Sequence, residues 1–134
     1  MNAANILKAS GHRIIAYEVV KNEEGVIREK TLEFLRHDNV SVVITSGGTG
    51  ISSKDRTGKA LHELFSRHVE GFGELFRRLS YDEIGERAIL SGAVAGVVEK
   101  KLVFCLPGSQ QAVEMALKKI ILPVLGHMLW EAAR

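Results

Sequence analysis

The stretch Val42-Val43-Ile44-Thr45-Ser46-Gly47-Gly48-Thr49-Gly50-Ile51-Ser52-Ser53-Lys54-Asp55-Arg56-Thr57 does most to limit what this chain can become. The apolar run over residues 40–44 reads as a buried strand, and the spacing of Ala60, Leu61, Leu64, Phe65, His68 and Val69 predicts a helix over 57–69. Between them lies a loop rich in glycine and hydroxyl groups that ends on Asp55, flanked by Lys54, Arg56 and Lys59. A strand, a glycine-rich turn and a helix start together make a place to hold an anion. Without a Cβ the backbone comes close, and free N–H groups point at the charge. No Gly-Lys-Ser/Thr follows the loop and the G-x-G-x-x-G pattern is absent, so neither the Walker A motif nor the dinucleotide fingerprint applies. These residues specify an anion site without specifying the anion.

The remaining chain alternates between strand and helix patterns. Residues 3–9 read as the tail of a helix stopped by Gly11, and His12 to Val20, rich in β-branched and aromatic residues, reads as a strand. The polar turn Lys21–Gly25 precedes a helix over about 26–36, carried by Ile27, Thr31, Phe34 and Leu35. Glu70-Gly71-Phe72-Gly73-Glu74 leads into a short helix through Leu79, and Ser80-Tyr81-Asp82-Glu83 reads as a capping turn for another. Ala93–Val98 and Leu102–Leu106 read as a hairpin across Glu99-Lys100-Lys101. After Leu106-Pro107-Gly108, Ser109 is the candidate N-cap of a helix that Pro123 breaks, followed by a last amphipathic helix. This order predicts a three-layer α/β sandwich around a mainly parallel, mixed sheet. Ligands of such folds bind beyond the C-terminal strand ends, where the loops 46–55 and 107–110 would form opposite walls of one site.

At 134 residues the chain is sized for one domain with one core. A net charge of +2, from 18 basic and 16 acidic residues, gives no footing for nucleic acid or a membrane surface. No apolar run approaches the ~20 residues of a spanning helix and no signal-peptide core is visible, so the expected location is the cytoplasm. Cys105, inside an apolar run, is expected to be a buried small hydrophobe. The histidines show no ligand spacing, His62 and His68 being six apart rather than on one helical face, so no structural zinc is expected.

Four separated motifs, Thr45-Ser46-Gly47-Gly48-Thr49-Gly50, Asp55-Arg56-Thr57, Gly71-Phe72-Gly73-Glu74 and Leu106-Pro107-Gly108-Ser109, recur in an order that resembles the MogA/MoaB family of molybdenum-cofactor biosynthesis. The run Gly71–Ser80 favours the MoaB branch, and the likeness extends from about residue 4 to the end. The resemblance implies a reaction in which molybdopterin and Mg-ATP give adenylylated molybdopterin and pyrophosphate. In its terms Asp55 is the catalytic and Mg2+-holding carboxylate, while Ser46, Gly47, Gly48, Thr49 and Gly50 cradle a phosphate or the pterin. Pro107, Gly108 and Ser109 bind the pterin phosphate or dithiolene region, and Glu74 pairs with the pterin ring nitrogens. It also implies homo-oligomers, trimers or hexamers, with a possible molybdate-insertion partner. Leu122, Leu125, Met128, Leu129 and Trp130 would then either supply an interface or close the core.

The chain departs from the family pattern at three places. The family's usual first strand and its Ser/Asp-containing loop have no counterpart before Ala3. Asn22 stands where active members carry an acidic residue, with Glu23 and Glu24 beside it as possible substitutes. Gly58 replaces a proline, and Gly92 replaces an arginine that would otherwise be a bidentate phosphate donor. Two bland readings also stand beside the sharp ones: Asp55 as a mere helix cap, and Glu74 as an exposed helix carboxylate. The functional expectation is therefore a molybdopterin adenylyltransferase, with a non-catalytic molybdopterin-binding protein or a structural subunit as the alternatives.

Overall fold

The structure is a computed structural model that describes residues 2–134. Four strands, β1 (Val42–Ser46), β2 (Arg67–His68), β3 (Val94–Val98) and β4 (Lys101–Leu106), form one mixed sheet in the order β1-β4-β3-β2. β1 and β4 run parallel with Thr45 opposite Cys105, whereas β3 pairs antiparallel with both β4 and β2. The mixed α/β sandwich is as expected, but only the β1–β4 pairing is parallel among the described residues.

Alternation along the strands builds two cores. Leu102, Phe104 and Leu106 of β4 face one layer of helices: α1 (Ala3–Ala9), α4 (Glu70–Ile84), α5 (Gln110–Met115) and α6 (Leu122–Ala133). Val103 and Cys105 face the other, made by α2 (Glu24–Leu35) and α3 (Thr57–His62). A strand buried on both faces reads as a continuous apolar run, which is what residues 102–106 are. Lys101 ties the start of β4 to the end of α2, its Nζ donating to the carbonyls of Leu35 (2.7 Å) and His37 (2.9 Å).

Several expectations are corrected. Residues 13–20 form no helix and join no ladder among the described residues. Ile15 and Val20 pack on the second core, while Tyr17 and Val19 are left 80% and 83% exposed. β-propensity measures fit to a pleated surface, and here no strand lies alongside to supply one. The helix expected over 57–69 ends at His62, because Phe65 packs onto the bare backbone of Gly96 and the chain turns into the sheet edge. There the Ser66 amide donates to the carbonyl of Val97 (2.8 Å) and the Val69 amide to that of Ala95 (2.9 Å).

Downstream, α4 runs unbroken through Gly71, Gly73 and Ser80 to Gly85, whose φ of +68° ends it. The capping turn expected at Ser80 is therefore mid-helix. Gly73 lies within the helix, and its lack of a side chain is used there: its backbone lies against the carbonyl of Ala93 and the guanidinium of Arg77, where a Cβ would not fit. Pro123 breaks nothing: a π-helical stretch over Ala116–Ile121 carries α5 into α6, with the proline in the first turn of α6, where its missing N–H costs little. Leu125 is core, Leu122, Met128 and Leu129 pack against it, and Trp130 remains 58% exposed.

Candidate functional site

The two suspect loops leave the sheet from adjacent parallel strands and therefore start side by side. The Gly47 amide donates to the carbonyl of Leu106 (2.8 Å), and the Ser46 hydroxyl to that of Pro107 (3.4 Å). Gly47 and Gly48, at φ +102° and +72°, then reverse the chain in a way that side chains rarely allow. Gly48 also has Thr57 packed where its Cβ would stand. Its carbonyl accepts the amides of Thr57 (3.1 Å) and Gly58 (3.4 Å), so the loop itself satisfies donors at the start of α3.

The amides that remain open belong to the loop. Among the described residues, those of Gly48, Thr49, Gly50 and Ile51 donate to no protein acceptor, although Thr49 is buried. Buried backbone donors are almost always paired, so the unpaired amide of buried Thr49 leaves room for a partner from outside the chain, while the exposed amides of Gly50 and Ile51 are open to solvent. Across from them Ser109 caps α5, its Oγ accepting from the Ala112 amide at 3.1 Å. Asp55 does not cap α3. Its Oδ2 accepts from the Ser52 amide (3.1 Å), and its own amide donates to the Ser52 carbonyl (2.9 Å), closing a tight turn over Gly50.

Between these loops lies a cleft of about 330 Å3. One side is Gly48, Thr49, Gly50 and Asp55; another is Pro107, Gly108 and Ser109. Phe76, Ser80 and Ile84 of α4, with Leu90 and Ser91, form the third. That largely apolar wall escaped the sequence reading. The helical spacing of 76, 80 and 84 was the available signal, but nothing local says which face of α4 meets the loops. No lysine or arginine lines the cleft. Lys59 instead reaches Glu24 at 3.5 Å. Glu74 is exposed on α4 and is not among the cleft residues, so a single copy of the chain does not bring it to the loops. Ser46 and Gly47 sit behind the cleft, tying the two loops together rather than lining it.

An α/β sandwich with a cleft at the C-terminal ends of two parallel strands, lined by a glycine-rich loop and a helix start, has the form of a small-ligand-binding domain of the anion-cradling kind. A family model described as "Probable molybdopterin binding domain" matches residues 2–127. The molybdenum cofactor biosynthesis protein B of Bacillus cereus is 44% identical over 130 residues, 96% of this chain and 77% of its own length. A crystal structure of a molybdenum cofactor biosynthesis protein B superposes with a TM-score of 0.93 at 44% identity, covering 96% of this chain and 81% of that one. The tungsten cofactor synthesizing protein MoaB of Pyrococcus furiosus gives 0.84 at 33% identity, covering 92% and 78%. The chain belongs to the MoaB branch of the MogA/MoaB family of molybdenum-cofactor biosynthesis proteins.

Proposed function

We propose that this protein adenylylates molybdopterin. A phosphate oxygen of the pterin attacks the α-phosphorus of ATP, the bond to the β-phosphate breaks, and its electron pair leaves on pyrophosphate. No covalent enzyme intermediate is needed, so positioning and charge stabilisation carry the rate. The observation that carries this reading is that Gly48, Thr49 and Gly50, whose amides have no protein acceptor, line one cleft together with the Pro107–Ser109 turn. Those amides suit phosphate oxygens, and the helix that begins at α5 adds the positive end of its dipole. Phe76, Ile84 and Leu90 suit the flat face of a heterocycle, and the hydroxyls of Ser80 and Ser91 suit its polar edge.

Asp55 fits a magnesium ion held chiefly by substrate and water. One of its oxygens is engaged by Ser52 and the other is left for a cation, and no group of three candidate metal ligands exists among the described residues. When bound, Mg2+ would neutralise charge on the phosphates; Asp55 would hold it and is the catalytic residue we assign. Copies of the chain would associate into trimers or hexamers through the exposed side of α6, around Val124 and Trp130, and hand product to a molybdate-inserting partner. No helix among the described residues is long and apolar enough to cross a membrane, which agrees with work in the cytoplasm.

A second reading, molybdopterin binding without turnover, draws support from the cleft's single carboxylate and from Asn22, whose side chain is already committed to the carbonyl of Lys54. Incubation with molybdopterin, ATP and Mg2+ followed by mass spectrometry separates the two. Adenylylated product that disappears in Asp55→Ala supports the enzyme. Tight pterin binding by a folded preparation that forms no product supports the binding protein.

A further inference from the structure

Asn22 lies outside the cleft, in the turn before α2, yet its Nδ2 donates to the carbonyl of Lys54 at 2.6 Å. It heads a row of polar contacts between two segments. Glu24 meets Lys59 at 3.5 Å, and Arg28 Nε donates to the carbonyl of Ala60 at 3.3 Å. The last two hold α3. Among the described residues, Asn22 supplies the hydrogen bond from outside the loop to its residues 51–55.

That loop has little else to fix it. Residues 51–54 are exposed, and the hydrogen bonds of Ser52 with Asp55 and Lys54 stay inside the turn. Without an anchor from outside, only these local bonds hold the turn closed, and they open readily in water. The carbonyl of Lys54 belongs to the peptide that leads directly into Asp55, so a donor fixed there sets where the carboxylate points. We propose that Asn22 is a positioning residue: its side-chain amide anchors the Lys54–Asp55 peptide and thereby aims Asp55 into the cleft. This rests on the reading of Asp55 as the residue that meets Mg-ATP.

The chemistry of the contact sets the role. A carbonyl oxygen needs a donor, and of the two groups on Asn22 only the NH2 supplies one. A carboxylate at this position would oppose oxygen to oxygen and release the loop. Asn22 is thus not a weakened metal ligand; it does something that an aspartate cannot do.

Asn22→Ala, Asn22→Asp and Asn22→Gln test this with two readouts, hydrogen exchange of residues 50–57 and calorimetric affinity for Mg-ATP. Removing one exposed hydrogen bond is expected to raise loop exchange about three- to tenfold in Asn22→Ala and Asn22→Asp, with exchange of α2 and α3 unchanged. Mg-ATP affinity falls by a similar factor in both. Asn22→Gln, which keeps the donor, recovers most of each effect. Tighter Mg-ATP binding by Asn22→Asp would overturn the proposal and make position 22 a ligand site. Unchanged loop exchange in Asn22→Ala would overturn it as well. If the unaltered protein does not bind Mg-ATP, the adenylylation reading fails, while loop exchange still decides whether Asn22 holds the turn.

Discussion

The Cα of Gly92 lies so close to the carbonyl oxygen of Thr49 that no side chain fits between them. The segment entering β3 is thereby pressed against the glycine-rich loop, and Thr49 is buried as a result. At the position where the family resemblance anticipates an arginine, this chain uses the space for backbone contact.

Gly92→Ala is therefore expected to force the Thr49 peptide away, at a cost of about 1–3 kcal/mol as in other overpacked sites. Because Thr49 carries one of the unpaired amides, phosphate-ligand affinity should fall along with stability. Thermal unfolding and ATP titration of the same preparation check both; a fall in stability with intact affinity would separate the contact from the site.

Lys101 joins β4 to the C-terminal carbonyls of α2 through two hydrogen bonds. A cation at a helix C-terminus, hydrogen-bonded to its last carbonyls, contributes about 1–2 kcal/mol in a half-buried setting. Lys101→Met keeps most of the aliphatic stem and removes the charge, so a loss of that size is expected in urea unfolding, with an unchanged m-value.

The β3–β4 hairpin turns on Glu99 and Lys100, at φ +48° and +67°, a left-handed pair that side chains disfavour. Asn-Gly suits such a two-residue turn far better. The double change Glu99→Asn with Lys100→Gly is expected to stabilise the fold by about 1–2 kcal/mol, read as a raised denaturation midpoint.

Burial pushes the Cys105 thiol up to about 11, against an ordinary value of 9.0. A raised value favours the protonated form in the folded state, so its contribution is fully present below pH 9 and is lost as the pH climbs toward 11. The loss is expected to reach about 2–3 kcal/mol, at about 1.4 per unit. Cys105→Ala should flatten stability over that interval, though from a lower starting point because a cavity is opened. At neutral pH, thiol reagents should label Cys105 only after unfolding.

Much of the site was legible along the chain, because its devices act over three or four residues. The glycine reversal at 47–48, the Ser109 cap, the hairpin and the double-faced strand 102–106 all follow from local stereochemistry and periodicity. Other outcomes depended on what lies alongside. Residues 13–20 have strand chemistry but no neighbouring edge, and Phe65 leaves a helical pattern because Gly96 offers it a seat. Gly73 lies in α4 against the carbonyl of Ala93, where a side chain would not fit. The wall made by Phe76, Ser80, Ile84 and Leu90, the exclusion of Glu74 and the reach of Asn22 to Lys54 were likewise decided in three dimensions. A turn or a cap is closed by atoms a few bonds apart, so composition specifies it. A pairing or a cleft wall needs a surface built from distant residues, and only packing of the whole domain supplies that surface.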